Sequence, residues 1–348
     1  MIKILHSADW HLDSPLLRQP RLQAALQQIP EQVAALCRQL GCHMLLLSGD
    51  LFDGACTANT LSAVKHALEE VAVPVLISPG NHDFVDFQSP WLSESWPGNV
   101  HIFTHPVMEA VEFPELDCTV LGAGYTKMDC HGLLADYTPR HDTRYSIGLL
   151  HGDPTQVTSP YCPITREQVR HSQLDYLALG HIHKGGSFRE GKTLCAWPGC
   201  PQGRGYDETG EKGVLLVTLE DTAEAKFIPL NGPRFYDLEV SANDRLHTLL
   251  PPVGNEDFYR ITFTGATEAP DLDQLKLEFS QFPNLELRDR TTPVRELWCN
   301  AGDDTLEGLY FQLLRDALQT ADEQEKQRIQ LAARISRQLL DGQEVELP

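Results

Sequence analysis

The sequence predicts an α/β fold, followed by a smaller α+β domain near the carboxyl end. Short apolar segments typical of buried strands alternate with amphipathic helical segments through the first half of the chain. Polar residues with ligand or acid–base chemistry follow most of these apolar segments, at the expected carboxyl ends of the strands. The composition is that of a folded protein, because 41% of the 348 residues are hydrophobic and 22% are charged.

Apolar segments predict the strands of the larger domain, which we expect to span residues 1–230. These segments are Ile2–Leu5, Met44–Leu47, Val73–Ile77, Val100–Phe103, Thr119–Leu121, Ile147–Leu150, Tyr176–Leu179, Gly213–Glu220 and Ala223–Leu230. Two helical patterns, at Gln23–Leu40 and Ala58–Glu70, separate the first three strands. Pro30 is expected to break or kink the first helix because its ring is not accommodated in a helix interior.

The last third of the chain predicts a small α+β domain at 231–300 and a C-terminal helical segment at 301–348. The elements expected in the small domain are strands at Phe235–Val240 and Tyr259–Thr264 and a helix at Asp271–Phe282. Two helices, Asp303–Thr320 and Glu323–Asp341, are expected in the final segment. The first of them carries an apolar stripe of Leu306, Leu309, Tyr310, Leu313 and Leu314. We expect this stripe to be mainly intramolecular core.

The chain is strongly acidic, with 49 Asp and Glu residues against 28 Lys and Arg and a formal net charge of -21. Such a surface repels polyanions unless its charge is locally reversed. A general basic groove for nucleic acid is therefore disfavoured. Bound metal ions or a partner protein would have to supply the positive charge that a nucleic-acid substrate requires.

The nine cysteines form no CxxC pair, which predicts free thiols of a reducing compartment rather than a disulfide framework or a zinc knuckle. The first residues run directly into an apolar strand and have no leader pattern. No segment reaches the roughly 18–20 apolar residues that span a bilayer. We therefore expect a soluble cytoplasmic protein that does not associate with membranes.

Polar side chains at the strand ends form the donor set expected of a site for two divalent metal ions. They are Asp9, His11, Asp50, Asn81, His151, His181 and His183. Asp9 and His11 are two residues apart, as are His181 and His183, so both members of each pair can point the same way on extended backbone. Asp50 is well placed to bridge the ions. Each short motif also occurs as a turn or as surface decoration, so the prediction depends on the ordered set.

The same motifs resemble the signature of the calcineurin-like metallophosphoesterases. They are Asp9-x-His11, Gly49-Asp50-x-x-Asp53, Gly80-Asn81-His82-Asp83, His151 and Gly180-His181-x-His183. The flanking residues, such as His-Ser-Ala-Asp-Trp-His-Leu and Ser-Gly-Asp-Leu-Phe-Asp, are more narrowly similar to the SbcD/YhaO-type DNA-repair exonucleases. The resemblance covers residues 1–230 and is weaker over 231–348. It implies a two-sheet β-sandwich core flanked by helices and a C-terminal capping domain.

The resemblance also implies how the ligands are divided. One ion would be held by Asp9, His11, Asp50 and His183, and the other by Asp50, Asn81, His151 and His181. Mn2+ is the metal that such families use for DNA cleavage, although this donor set would also accept Fe or Zn. His82 would be the catalytic residue, either hydrogen-bonding the phosphate or protonating the leaving alkoxide. Asp53 or Asp83 would orient its imidazole.

Four further residues have alternative interpretations. Arg204 is either a phosphate contact or a solvated loop arginine. Trp10 would stack on a base or pack in the core, and His6 would lie behind the ligands or be an ordinary core histidine. Asp53 replaces a histidine that some archaeal and eukaryotic relatives carry for substrate handling, so endonuclease activity is not implied.

The favoured interpretation is a Mn2+-dependent DNA exonuclease subunit that acts on DNA ends in repair. The resemblance implies an SMC-type ATPase partner of the SbcC/YhaN kind, and homodimers are common in the narrower family. One alternative is a phosphodiesterase or phosphatase for a small nucleotide or another phosphate ester, with the same ligands and a different pocket. Another is a non-catalytic assembly subunit that retains its metal site for stability.

Overall fold

The computed structural model describes residues 1–342, with the exception of 16, 18, 136, 138, 140–142, 242–245, 252–255, 266, 268 and 293–295. The chain forms two compact units, Met1–Phe235 and Tyr236–Pro348. All nine cysteines are free thiols. No helix of the described residues is both long enough and apolar enough to cross a membrane.

The first unit is a two-layer β-structure with flanking helices. Its strands are β1 (Ile2–Ser7), β2 (Met44–Leu47), β3 (Val75–Ile77), β4 (Val100–Ile102), β5 (Glu109–Phe113), β6 (Cys118–Gly122), β7 (Tyr145–His151), β8 (Tyr176–Gly180), β9 (Lys184–Glu190), β10 (Thr193–Gly199), β11 (Gly213–Leu219) and β12 (Ala223–Pro229). Its helices are α1 (Pro20–Gln27), α2 (Ile29–Gln39), α3 (Ala58–Glu70), α4 (Pro90–Ser93) and α5 (Arg166–Ser172). One sheet has the strand order β12-β11-β1-β2-β3-β4, and the other has the order β5-β6-β7-β8-β10-β9. The predicted two-sheet α/β core is confirmed.

An apolar core joins the inner faces of the two sheets. Ile4 and Leu46 of the first sheet belong to the same buried cluster as Ile147 and Ala178 of the second, and all four side chains are completely buried. A second cluster, which includes Val169 of α5, covers the opposite face of the second sheet. The alternation of strand side chains between these two clusters fixes which way each strand faces.

Strand register places the loops that carry the predicted ligands at one edge of each sheet. In the first sheet β1, β2 and β3 are parallel, and Ser7, Leu47 and Ile77 are paired across them at their carboxyl ends. In the second sheet β7 and β8 are also parallel, and His151 is paired with Gly180. The loops that follow these strands therefore leave each sheet side by side.

The predicted first helix is interrupted, as Pro30 suggested. It consists of α1, which ends at Gln27, and α2, which begins at Ile29 with Pro30 in its first turn. A proline is tolerated there because the first turn of a helix has no internal acceptor for its N–H. Helix α3 begins after Thr57, whose hydroxyl oxygen accepts a hydrogen bond from the Thr60 N–H.

The second unit is an α+β structure. Its strands are β13 (Phe235–Ser241), β14 (Phe258–Thr264) and β15 (Leu285–Asp289), and its helices are α6 (Leu246–Leu249), α7 (Leu272–Glu278), α8 (Leu306–Thr320) and α9 (Glu323–Leu340). The three strands form one sheet in the order β13-β14-β15. Ile261 and Phe263 of β14 and Phe279 next to α7 are among the buried residues of its core. The predicted α+β character is confirmed.

The apolar stripe on α8 is not core, which corrects the expectation from its pattern. Leu306, Leu309 and Leu313 are 88%, 58% and 62% exposed, respectively. Helix α8 instead buries Phe311, and the guanidinium of Arg337 in α9 lies 4.0 Å from the centre of its ring. The helix is amphipathic, but the side chain that it buries against α9 is Phe311 and not one of these three leucines.

Candidate metal centre

The loops of the first unit bring all seven predicted ligand side chains together. Asp9 and His11 follow β1, Asp50 follows β2, Asn81 follows β3, His151 ends β7, and His181 and His183 lie between β8 and β9. Three strands of one sheet and two of the other thus supply the donors. Five of these side chains are almost completely buried, whereas His181 and His183 are partly exposed.

One half of the cluster contains Asp9, His11 and His183. Single donor atoms of these three residues all lie within 4.8 Å of one another. The Nε2 atoms of His11 and His183 are only 3.1 Å apart. Two imidazole nitrogens at this distance need either a shared proton or a cation close to both.

The other half is arranged around Asn81. Its Oδ1 atom is 2.9 Å from His151 Nε2 and 3.2 Å from His181 Nδ1. Asp50 lies between the two halves, because its Oδ2 atom is 3.3 Å from His151 Nε2 and 3.8 Å from His11 Nε2. This is the position expected of a carboxylate that bridges two cations.

The protonation and hydrogen bonding of the donor side chains also suit the binding of divalent metal ions. His151 Nδ1 donates a hydrogen bond to the Ser48 carbonyl oxygen at 2.8 Å, so its Nε2 lone pair is available to a metal. Asp9 Oδ2 and His11 Nδ1 are buried and have no hydrogen-bond partner within the part of the chain that the structure describes. Because buried polar atoms are normally satisfied, the unpartnered Asp9 oxygen fits the role of a metal ligand.

Electrostatic interactions in the cluster favour positive charge. Burial opposes protonation of His151, but the carboxylates of Asp50 and Asp9 together raise its pKa to about 9. Burial also opposes ionisation of Asp50, yet the charge and hydrogen bond of His151 and the charge of His11 hold its pKa well below the usual range. A cluster that attracts protons this strongly has the electrostatic potential to attract a metal ion.

The ligand loops have an unusual backbone conformation. Asp9, His11, Asp50 and His181 all have positive φ angles, of 54°, 48°, 53° and 94°. Residues other than glycine rarely adopt this region, and they cluster in it at functional sites. Gly80 allows the close approach of two of these loops, because a Cβ atom there would lie 2.2 Å from Asp50 Oδ1.

His82 lies beside the cluster with its side chain 45% exposed. Its Nδ1 donates a hydrogen bond to Asp53 Oδ1 at 2.6 Å, and its Nε2 has no hydrogen-bond partner among the described residues. The hydrogen bond to Asp53 raises the pKa of His82. Asp53 is held in turn by the Ser14 hydroxyl, which donates to its Oδ2 at 2.5 Å. The imidazole is therefore oriented with one nitrogen available to a substrate.

Asp83, the other carboxylate expected near His82, has a different role. Its carboxylate oxygens accept hydrogen bonds from the backbone N–H groups of Leu51 and Gly80, both at 2.7 Å. It also accepts longer bonds, of 3.2 and 3.3 Å, from the N–H groups of Asp50 and Phe52. Asp83 thus joins the loops after β2 and β3, and the alternative in which it orients His82 is wrong.

Arg204 and Glu208 form a charged pair behind His183. Glu208 Oε1 accepts hydrogen bonds from His183 Nδ1 and Arg204 Nη2, both at 2.7 Å. Arg204 Nη1 is 3.9 Å from Asp53 Oδ2, and its side chain is only 16% exposed, so it is not a solvated loop arginine. Burial opposes ionisation of Glu208, but its bonds to His183 and Arg204 hold its pKa well below the usual range.

Sequence reasoning did not find Glu208. The pattern Arg204-Gly-Tyr-Asp-Glu208 has no periodicity, and a glutamate in a loop has no special signal. Its role becomes visible only when the loop before β11 lies against His183. Ligating histidines commonly direct their second nitrogen to a carboxylate, which fixes the ring for the metal.

Burial and hydrogen bonds also decide the alternatives for Trp10 and His6. Trp10 is completely buried and donates to the Ser7 hydroxyl at 2.8 Å, so the stacking role suggested for it is wrong. His6 is also completely buried, and its ring nitrogens lie 2.7 Å from the Tyr176 and Ser48 hydroxyl oxygens. His6 therefore belongs to the polar network beneath the ligand loops.

The model of the calcineurin-like phosphoesterase family matches residues 2–185, which include all the predicted ligands. The chain belongs to this family. Membership in the calcineurin-like phosphoesterases and the His/Asp clusters indicate a metal-dependent phosphoester hydrolase and are consistent with a dinuclear metal site.

Within the calcineurin-like phosphoesterases, the chain is 32% identical over 234 residues to YhaO of Bacillus subtilis, an uncharacterized metallophosphoesterase. That match covers 62% of this chain and 57% of the relative, so the chain spans little more than half of the relative's length. The chain is 21% identical over 269 residues to the SbcD component of the SbcCD nuclease of the same organism, with 64% of this chain and 68% of the relative covered. A dimetal phosphatase structure from Danio rerio superimposes with a TM-score of 0.46 and 13% identity, over 65% of this chain and 96% of that chain.

Replacing Glu208 with glutamine is expected to weaken Mn2+ binding by about 10–100-fold, the usual effect of losing a partner behind a ligating histidine. The substitution removes the charge that holds the His183 Nδ1 proton while preserving the side-chain shape. Isothermal titration of Mn2+ into wild type and variant measures the effect. Glu220→Gln removes an equal charge at an exposed position and serves as the control. An unchanged affinity in Glu208→Gln would contradict the positioning role.

Proposed function

We propose that this calcineurin-like phosphoesterase is a dinuclear-metal phosphodiesterase that removes nucleotides from DNA ends, with Mn2+ as its activating metal. The observation that carries the proposal is the cluster of seven donors around Asp50, next to the exposed imidazole of His82. The preference for DNA is supported by the similarity to the SbcD component of the SbcCD nuclease and by the sequences that flank the motifs.

In this proposal one ion is held by Asp9, His11, Asp50 and His183, and the other by Asp50, Asn81, His151 and His181. Divalent ions bound there would supply Lewis-acid stabilisation of the phosphoryl oxygens and would make a water molecule more acidic. The buried histidines and carboxylates of the cluster exclude bulk water, which strengthens charge interactions with the phosphate.

His82 is the proposed general acid. Asp53 holds its Nδ1 proton, so a protonated ring directs Nε2–H outward to the substrate. As a water oxygen bonds to phosphorus and the P–O bond to the sugar breaks, that proton would pass to the leaving alkoxide oxygen, and the ring would become neutral. The proton that the water loses would pass to solvent. Arg204, next to Asp53, adds a fixed positive charge behind this acid.

The net charge of -21 requires a source of affinity for DNA outside the chain's own lysines and arginines. The two divalent ions would bring four positive charges to the site. The proposal therefore includes a cytoplasmic DNA-repair complex in which an SMC-type ATPase of the SbcC/YhaN kind supplies the remaining positive surface.

The test uses purified protein, Mn2+, end-labelled linear duplex DNA and a covalently closed circle of the same sequence. We expect the linear DNA to shorten from its ends, the circle to persist, and EDTA to abolish the reaction. Bis(p-nitrophenyl) phosphate is assayed in parallel. Cleavage of this small diester alone would contradict DNA cleavage by the isolated chain, and would favour either a small phosphoester as the substrate or DNA cleavage that requires the ATPase. Cleavage of neither substrate would favour a non-catalytic assembly subunit.

A further inference from the structure

A cavity of about 420 Å³ opens in the first unit beside the metal centre. It lies where the edges of the two sheets come together, between β9 and β10 of one sheet and β11 and β12 of the other. Its lining includes His183, Ser187, Ala196, Leu215, Ala225 and Phe227. His183 belongs both to this lining and to the predicted ligand set, so the cavity is adjacent to the site of the chemistry.

Neighbouring strands of both sheets line this space, with small residues on β9 and β10. Ser187 of β9 is paired with Ala196 of β10, and Leu215 of β11 is paired with Phe227 of β12. Sheets in a sandwich lie about 10 Å apart, and their interiors are normally filled by large side chains. Serine and alanine leave part of that layer empty here, while Phe227 is 37% exposed at the rim. The result is a pocket, here called the slot, in which Leu215, Ala225 and Phe227 supply apolar surface while Lys184, Thr209 and Glu211 supply polar groups.

A buried cation lines the same cavity. Lys212 is only 9% exposed, and its Nζ donates one long hydrogen bond, of 3.4 Å, to the His183 carbonyl oxygen. Within the described part of the chain, no carboxylate lies within ion-pair distance of this ammonium group. An ammonium group has three protons to donate, and burial without an anion is costly. Lys212 thus offers unused donors beside His183 in an otherwise acidic protein.

We propose that this cavity binds the nucleoside portion of the substrate, with the base in the slot and Lys212 bonded to a phosphate oxygen. The inference rests on the proposed function, since it places the scissile phosphate at the metal centre. Leu215, Ala225 and Phe227 supply apolar contacts with a planar ring, and Lys212 supplies charge next to His183. The substrate class is therefore a nucleotide-containing ester rather than a simple alkyl phosphate.

The test compares the binding of deoxyadenosine 5′-monophosphate and inorganic phosphate to the Mn2+-loaded protein by isothermal titration calorimetry. We expect the wild type to prefer the nucleotide by about 10-fold or more, because a bound base contributes stacking and apolar contacts. In Ala225→Trp, which fills the slot from β12, the ratio of the two affinities is expected to fall towards one.

Glu224→Trp is the matched control, because successive strand residues point to opposite faces and Glu224 is exposed outside the lining. It is expected to retain the nucleotide preference. If Ala225→Trp does not fold, Phe227→Ala removes one wall instead and is expected to lower the same ratio. Equal affinities in the wild type, or a preference retained in the slot variants, would overturn the inference.

The DNA assay separates this inference from the proposed function. End-dependent DNA cleavage by a protein without nucleotide preference would overturn only the inference about the cavity. A slot-dependent nucleotide preference without DNA cleavage would support the inference and contradict DNA cleavage by the isolated chain.

Discussion

Replacing Asp50 with asparagine is expected to lower the rate of phosphodiester hydrolysis by more than about 100-fold. This exceeds the loss that usually follows substitution of a residue that holds a metal ligand in place. In the wild type, the backbone N–H of His82 donates a hydrogen bond to Asp50 Oδ1 at 2.9 Å. Asparagine has the same shape as aspartate, and its side-chain oxygen can still accept this bond. It removes the negative charge between His151 and His11. A neutral amide is a poor bridge between two cations, so we also expect fewer than two metal ions per chain.

The measurements for Asp50→Asn are kcat/KM for bis(p-nitrophenyl) phosphate with Mn2+ and the metal content after gel filtration. Asp129→Asn is the control, because it makes the same change away from the cluster, at a half-exposed carboxylate that forms an ion pair with Lys127. Circular dichroism checks that the variant is folded. A rate near that of the wild type, with two ions still bound, would remove Asp50 from the bridging position.

Replacing His82 with glutamine is expected to reduce kcat for DNA by about 10²–10⁴-fold, the range for losing a general acid. The loss should be much smaller with bis(p-nitrophenyl) phosphate, because a nitrophenolate leaves without needing a proton. Metal content should change little, since His82 is not a predicted ligand. The exposed ring and the single bond from Nδ1 to Asp53 are the structural basis for this expectation.

The dependence on the leaving group distinguishes the two roles that sequence reasoning left open for His82. An equal loss with both substrates would assign the imidazole to phosphate binding instead of proton donation. Asp53→Asn is a companion variant, because it keeps His82 and removes the charge that orients its ring, together with the charge that Asp53 presents to Arg204 and His11. We expect its effects to follow the same substrate pattern with a smaller magnitude.

Most elements of the first unit could be predicted because hydrophobic burial determines them. Met44–Leu47 is apolar at every position and is buried on both faces, and it forms the strand with the predicted ends. β9 could not be predicted in this way, since Lys-Gly-Gly-Ser-Phe-Arg-Glu lies at a sheet edge where neither face is fully buried. β5 is a second exposed edge strand with the same weak signal.

The candidate site was predictable where one motif supplies both a ligand and the turn that carries it. Gly80-Asn81 is an example, because the glycine that admits Asp50 is adjacent to the donor. Glu208 was not predictable, since its contact with His183 depends on how a loop 25 residues away folds back. Tertiary packing determines such contacts, whereas sequence patterns report mainly local periodicity.

Asp9, His11, Asp50 and His181 have positive φ angles. At these positions, the residue type that is best for stability therefore differs from the one that catalysis requires. Glycine would relieve backbone strain at these positions but would delete a donor, and strain of this kind costs of order 1–3 kcal/mol per residue. Selection for thermal stability alone would therefore tend to replace the predicted metal ligands. A stabilisation campaign should hold these four codons fixed and screen for turnover together with melting temperature.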